Sequence, residues 1–390
     1  MTKLIPYGRQ DIGEADIKAV VDILQSDFLT QGPVVPAFEA AVAEHCGVRF
    51  AIAANSATSA LHVACMALDL GPGDYLWSSP TTFVASSNCA LFCGARVDFV
   101  DIDPRTGNMS VEKLSEKLAS ARSAGLLPKI VVPVHLCGQS CDMAAIHALS
   151  QEYGFRIIED ASHSIGGSYK GEPVGNCRYS DIAVFSFHPV KIVTTGEGGM
   201  ALTNDPVLSD RLQRHRSHGI TSTKSQMHLR PENEIWNYQQ IYLGYNYRMT
   251  DIAAALGVSQ MLRIDEFVRR RREIAATYDA AFEGLPVFTQ WQHPDSASSR
   301  HLFPIRIRQS LCGKTQREIY RAFWEAYIAV NLHYIPVYRQ PYYEAMGFKS
   351  GYCPEAELYH RETLSLPIYT TLSDEQQAYV IEVLKSALNS

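Results

Sequence analysis

The segment Ile157-Ile158-Glu159-Asp160-Ala161-Ser162-His163 reads as an apolar strand that ends in two carboxylates and then runs into small residues. Ligands of parallel α/β sheets collect at the carboxyl ends of strands, so Asp160 is placed to face a site. An ionised carboxylate there needs a cation or hydrogen-bond donors to offset its desolvation. A second apolar run, Ile182 to Phe187, is followed by His188-Pro189-Val190-Lys191 and then Thr194-Thr195-Gly196-Glu197-Gly198-Gly199. It sets a lysine just beyond a strand end, where glycines let backbone approach a ligand. The spacing of Asp160 and Lys191 allows a single crossover to bring both to one sheet edge. An amine and a carboxylate in one pocket suit pyridoxal phosphate: the lysine forms a Schiff base with the aldehyde, and the acid keeps the pyridine nitrogen protonated so that the ring draws electrons. Taken singly, the two residues read as an exposed lysine and a helix-capping aspartate.

Asn55-Ser56-Ala57-Thr58-Ser59-Ala60-Leu61 follows the apolar stretch Phe50 to Ala54 and opens a helix. Free amides, hydroxyl donors and the helix dipole together bind a phosphate at such a place, although ordinary capping uses the same residues. Ser186, on the strand that leads to Lys191, adds a further phosphate donor, and Phe83 offers an aromatic face to a pyridine ring.

These residues need elements to carry them. From Phe50 to Thr203 apolar strands alternate with amphipathic helices, the pattern of a mainly parallel sheet covered by helices. Ahead of it, residues 11–46 read as two helices around the loop Ser26 to Pro33, the first with Ile17, Val20, Val21 and Leu24 on one stripe. Residues 215–240 read as a long irregular excursion and Thr250 to Tyr278 as a helical run that leads into a smaller α+β unit. The expectation is an α/β protein with a large domain over residues 1–258, including the N-terminal helical arm, and a small C-terminal domain over 259–390.

The composition fits a soluble protein with a large core: 390 residues, 46% hydrophobic, 19% charged, formal charge −6. The one dense basic run, Arg269 to Arg272, has apolar neighbours in a helical stretch, which argues against a nucleic-acid partner. The sequence has no membrane-spanning stretch and no secretory start, and its nine cysteines lack a disulfide framework, so a cytoplasmic protein with reduced thiols is expected. The pairs Cys89/Cys93 and Cys137/Cys141 read as packing and not as metal ligands. No G-x-G-x-x-G follows the first strand, which disfavours a nicotinamide enzyme.

Together with Thr82-Phe83 and Gly244-Tyr245-Asn246-Tyr247-Arg248-Met249-Thr250-Asp251, the segments quoted above resemble the DegT-type sugar-nucleotide aminotransferases over nearly the whole chain. The resemblance implies a fold-type-I pyridoxal-phosphate enzyme, homodimeric, with each active site completed by the neighbouring subunit. It makes Lys191 the Schiff-base lysine and Asp160 the partner of the pyridine nitrogen. Ser56, Ala57, Thr58 and Ser186 hold the phosphate, Phe83 covers the ring, and Asn246 reaches the phosphate in the other subunit. His163 stands where the family usually has a glutamine near the phenolic oxygen. A lysine at 191 separates the chain from related sugar dehydratases, which carry histidine there, and no DNA-binding segment supports a non-catalytic regulator.

Within the family, Ile5 to Gln10, Ser26 to Pro33, Arg216 to Ile220 and His333-Tyr334-Ile335-Pro336-Val337-Tyr338 are similar to transaminases of the pseudaminic acid pathway. That similarity implies amination of carbon 4 of a UDP-linked 4-keto-6-deoxy-N-acetyl-hexose with L-glutamate as donor. Tyr7, Thr30, Gln31, His333 and Tyr334 are the candidate contacts to the nucleotide sugar, with Arg248 as a forked phosphate contact.

Overall fold

The computed structural model describes residues 4–228 and 238–389. Seven strands form the central sheet: β1 (Phe50–Ala54), β2 (Tyr75–Ser78), β3 (Arg96–Phe99), β4 (Ile130–Val132), β5 (Arg156–Asp160), β6 (Ile182–Ser186) and β7 (Gly199–Thr203). Their order is β1-β7-β6-β5-β4-β2-β3. All neighbours are parallel except β7, which runs antiparallel to both β1 and β6.

The strands read as continuous apolar runs because helices cover both faces. Alternation along β6 sends Val184 to one core and Phe185 to the other. The first core, around Phe185, is built mainly on α2 (Val34–Cys46), and α1 (Glu14–Leu24) adds no buried apolar residue to it. The second packs α3 (Ala57–Ala67) and α4 (Ala85–Phe92) on the sheet. On the opposite face α5 (Val111–Ala124) and α6 (Met143–Tyr153) pack against Trp77, Val131 and Ile157, while α7 (Pro206–Arg216) joins the second core. The run expected as one helix from Thr250 to Tyr278 is two, α8 (Asp251–Met261) and α9 (Ile264–Phe282), broken at Leu262–Arg263 where Arg263 turns to meet Asp16 at 2.9 Å. Gly257 lets α8 lie flat on α2, since a Cβ there would come within 2.6 Å of the Phe38 ring.

The small unit is a three-stranded antiparallel sheet of β8 (Val287–Thr289), β9 (Phe303–Ile307) and β10 (Thr363–Leu366), packed by helices Gln316–Glu325 and Asp374–Asn389. The division at 258/259 falls inside α8. It is α9 that passes from one core to the other, with Ile264, Phe267 and Val268 in the first and Ile274, Tyr278 and Phe282 in the small unit. The arginine run sits on this helix as structural glue: Arg271 is buried and donates to the carbonyls of His301 and Ile368.

The polar excursion after α7 is closed at its ends, Ile220–Thr221 pairing with Gln239–Gln240. Residues 229–237 of that stretch lie outside the described ones. Among the described residues no helix is long and apolar enough to cross a membrane.

One carboxylate anchors the loop that leads into α2. Asp251 is fully buried and accepts from the backbone N–H of Gly32 at 2.8 Å, Val34 at 2.8 Å and Val35 at 3.2 Å. Asp251→Ala leaves these amides without partners and should lower stability by roughly 2–3 kcal/mol. Urea unfolding of wild type and variant checks this, and a difference under about 0.5 kcal/mol would show the anchor to be dispensable.

Candidate active site

The site forms at the carboxyl edge of β5 and β6. Strand alternation sends the two carboxylates of β5 apart. Glu159 turns to His135, 2.7 Å from its Nε2, on the far face, while Asp160 faces the cleft. Asp160 Oδ2 accepts from Ser86 Oγ at 2.5 Å, and Oδ1 accepts from Ser162 Oγ at 2.5 Å and Ser162 N at 3.2 Å. These three donors offset the desolvation of a side chain that is 5% exposed.

Lys191 sits in the loop between β6 and β7. That loop is closed by Phe187 N–H to Gly198 O at 2.9 Å and Thr195 N–H to Phe187 O at 3.0 Å. Burial pulls the Lys191 ammonium down to about 8, against the opposing pull of Asp160. The amine is therefore partly neutral near pH 8, the form that attacks an aldehyde.

The phosphate cradle is assembled by one glycine. Gly199 pairs with Ser186 across the β6–β7 ladder, and a Cβ on it would come within 2.4 Å of the backbone of Ser56 and Ala57. Ser186 and the start of α3 are thus held against each other. Ser56 caps the helix by accepting from Ser59 N at 3.1 Å, and Ala60 N is taken by Ser56 O, so the Ala57 and Thr58 amides are left free for an anion. A buried carboxylate, a depressed lysine and a helix-start cradle fit the pyridine nitrogen, aldehyde and phosphate of pyridoxal phosphate. Phe83 is 60% exposed, three residues ahead of Ser86, whose hydroxyl holds Asp160.

The small unit closes the other side of the cleft. His163 Nδ1 accepts from Cys137 N–H at 3.3 Å, and burial with the nearby Lys191 charge holds the ring neutral. The proton therefore sits on Nε2, which donates to Tyr334 Oη at 3.2 Å, with the two rings stacked. His301 lies 4.5 Å from His163, centroid to centroid. His333 is buried against Ser365, with Nδ1 2.8 Å from its Oγ, and burial beside Lys191 lowers it to about 3. Tyr7 packs on His333 at 5.4 Å, and the next residue, Gly8, abuts Val190 of the lysine loop.

Thr30, Gln31, Asn246 and Arg248 gather elsewhere. Thr30 bridges to Thr250 and Asn246 to Ser217. Gln31 and Arg248 line a cleft of about 230 Å³ with Glu39 and Arg216. Among the described residues, no hydrogen bond or ring contact joins these four to Lys191, His163 or His333 of the same chain.

Sequence reasoning missed Ser86, Cys137 and His301. Ser86 and His301 sit among ordinary helix and loop residues with no motif around them. Cys137 reads in the sequence only as half of a thiol pair, yet its backbone N–H donates to His163 Nδ1. Among the described residues no group of His, Cys, Asp and Glu is arranged to hold a metal ion.

Because the folded ammonium titrates near 8 and a solvated lysine near 10.5, capture of pyridoxal phosphate by cofactor-free protein should accelerate through pH 8. Between these values the unfolded chain holds a proton the folded chain has lost, so stability of the cofactor-free protein should rise with pH relative to Lys191→Met. Stopped-flow absorbance and urea titrations read both effects; a capture midpoint above pH 10 would contradict the burial argument.

The DegT/DnrJ/EryC1/StrS aminotransferase family matches residues 10–385. The spore coat polysaccharide biosynthesis protein SpsC of Bacillus subtilis is 38% identical over 384 residues, 98% of this chain and 96% of that protein. A UDP-4-amino-4,6-dideoxy-N-acetyl-beta-L-altrosamine transaminase of Campylobacter jejuni is 36% identical over 387 residues, 99% of this chain and 98% of that one. The solved structure of Helicobacter pylori PseC, an aminotransferase of pseudaminic acid biosynthesis, superposes with a TM-score of 0.90 at 29% identity, covering 99% of this chain and 100% of that one. With the sheet-edge carboxylate, buried amine and phosphate cradle in place, the chain belongs to the DegT/DnrJ/EryC1/StrS aminotransferase family and is an aminotransferase of the fold-type-I class that depends on pyridoxal phosphate.

Proposed function

We propose that the protein aminates carbon 4 of a UDP-linked 4-keto-6-deoxy-N-acetyl-hexose, with L-glutamate as amino donor, in pseudaminic acid biosynthesis. The observation that carries this reading is the ring cluster Tyr7, His333, Tyr334 and His163 beside Lys191, together with full-length similarity to the altrosamine transaminase. Similarity to SpsC favours a second reading, a transaminase of the same kind acting on another nucleotide keto-sugar.

Pyridoxal phosphate supplies the electron sink that lets a proton leave carbon next to nitrogen. Lys191 Nζ, held near neutrality, takes that proton from the α-carbon of the amino donor and later delivers one to carbon 4 of the sugar. One base thus serves both halves of a ping-pong cycle. Asp160, fixed by Ser86 and Ser162, holds the proton on the pyridine nitrogen. Ala57, Thr58, Ser56 and Ser186 hold the phosphate and Phe83 the ring face. His163, neutral and tethered to Tyr334, can give its Nε2 proton only to one partner, so it sits as a hydrogen-bonding wall and not as an acid. Tyr7, His333 and Tyr334 offer donors to the sugar nucleotide.

Asn246, Arg248, Thr30 and Gln31 serve the site of a second copy, which makes the working unit a homodimer. The apolar stripe of α1 supports this. Ile17 is 56% exposed, Val21 41% and Leu24 56%, so a face that reads as core is bare in one chain.

Lys191→Ala should abolish turnover and leave the fold intact, and Asp160→Asn should cost several kcal/mol of barrier. Mixing inactive Lys191→Ala chains with inactive Asn246→Ala chains should restore activity, because one site of each heterodimer is whole. His333→Ala should raise KM for the nucleotide sugar at least about tenfold while the glutamate half-reaction, read by absorbance, changes little. Absence of recovery after proven subunit exchange rejects the shared site. Mass spectrometry of products from a panel of UDP- and dTDP-keto-sugars decides between the two substrate readings.

A further inference from the structure

The role given to Lys191 covers the proton on carbon and leaves the oxygen without a donor. A ketone that becomes an amine loses its carbonyl oxygen as water, and that oxygen takes up two protons on the way. The cleft wall formed by the small unit carries a hydroxyl suited to supply them.

Tyr334 Oη lies 3.2 Å from His163 Nε2. The direction of this bond is set from behind: Cys137 N–H donates to His163 Nδ1 at 3.3 Å, which leaves the one proton of the neutral ring on Nε2. Tyr334 oxygen therefore accepts, and among the described residues its own proton has no second hydrogen bond to enter. His163 is held in this pose, its carbonyl accepting from Ser299 Oγ at 3.0 Å and its ring lying 4.5 Å from that of His301. Ser299 reaches this far because position 138 is glycine, where a Cβ would come within 2.6 Å of Ser299 Oγ. On its other side Tyr334 meets the His333 ring at 4.9 Å, and His333 meets Tyr7 at 5.4 Å. The next residue, Gly8, is so near the lysine loop that a Cβ on it would lie 3.7 Å from Val190 Cβ. The half-buried hydroxyl thus belongs to a wall that abuts the loop carrying Lys191.

We propose that Tyr334 is the proton donor to the oxygen of the keto substrate, with His163 as the positioning residue that aims it. This rests on the aminotransferase chemistry above and not on which keto-sugar is bound. As carbon 4 bonds to the amine nitrogen, the second electron pair of the C=O bond moves to oxygen, and Tyr334 protonates it. The phenolate recovers a proton from the nitrogen. Tyr334 then protonates the resulting hydroxyl, the C–O bond breaks as the nitrogen lone pair closes the C=N bond, and water leaves. The second nitrogen proton restores the phenol. Oxygen has gained two protons, nitrogen has lost two, and nothing is oxidised or reduced. His163 Nε2–H stays on the Tyr334 oxygen throughout and offsets the negative charge that appears there. In the amino-donor half the same moves run backward as water enters.

The resting state agrees with this role. Burial holds the Tyr334 hydroxyl well above the usual tyrosine range, so it keeps its proton until an oxygen with alkoxide character takes it.

The test incubates holoenzyme in D2O with L-glutamate, or with L-glutamine if glutamate leaves the wild-type cofactor absorbance unchanged, so that the donor assignment fails separately. No nucleotide sugar is present, which keeps the outcome independent of the substrate reading. Two quantities are read: deuterium entering the α-carbon of the donor, which needs Lys191, and keto acid released, which also needs water to add. Tyr334→Phe should raise the ratio of deuterium incorporated to keto acid released at least about tenfold, because the donor returns many times before water adds. His163→Ala should raise it too, whereas His163→Gln, whose amide can donate in place of Nε2–H, should restore it toward wild type. Cofactor-free Tyr334→Phe protein should bind pyridoxal phosphate within about threefold of wild type. Both rates falling together at an unchanged ratio, an equal rise of the ratio in Tyr7→Phe, or a loss of pyridoxal phosphate affinity beyond about tenfold in Tyr334→Phe overturns the proposal.

Discussion

Everything around the cleft answers one constraint: an amine must stay close to neutral while a carboxylate a short way off stays charged. Burial alone drives both groups toward their uncharged forms. The fold treats the two differently: Asp160 receives three donors from Ser86 and Ser162, while Lys191 receives only the field of Asp160. The β5–β6 pairing sets the two groups on one edge, and the antiparallel β7 returns the chain so that the lysine loop ends against the phosphate cradle.

The histidines follow the same logic from the other side. His163, His301 and His333 all lie near the lysine and all are depressed by burial, so the pocket adds no positive charge that competes with the amine. A polar but uncharged wall of this kind offers hydrogen bonds to a ligand without adding charge of its own.

Much of this was legible in the sequence, for identifiable reasons. Parallel strands buried on both faces appear as unbroken apolar runs, and residues just past their ends are the ones that face a ligand, which marked Asp160 and Lys191. Hydroxyl residues at the start of α3 marked the helix N-terminus that lies against Gly199. What stayed hidden depends on long-range register. The clash that fixes Gly199 against Ser56 arises only when β7 folds back between β1 and β6. The α1 stripe has helical period, and period alone cannot tell a face buried in its own chain from one left open: Asp16, not Ile17, is the buried residue there, held by Ser259, Gln260 and Arg263. The helical pattern from Thr250 to Tyr278 is continuous in composition, and its break follows from where Arg263 finds its carboxylates.

Helix α9 contributes side chains to two cores at once. A rigid rod of 19 residues shared in this way couples the stabilities of the units it joins. Loss of Tyr278 and Phe282 from the small core frays the C-terminal half of the helix whose N-terminal half seats Phe267 in the large one. Local opening of either unit is therefore charged against both, so amides along the middle of this helix belong to the slowest class to exchange with deuterium, and the two units melt as a single cooperative body.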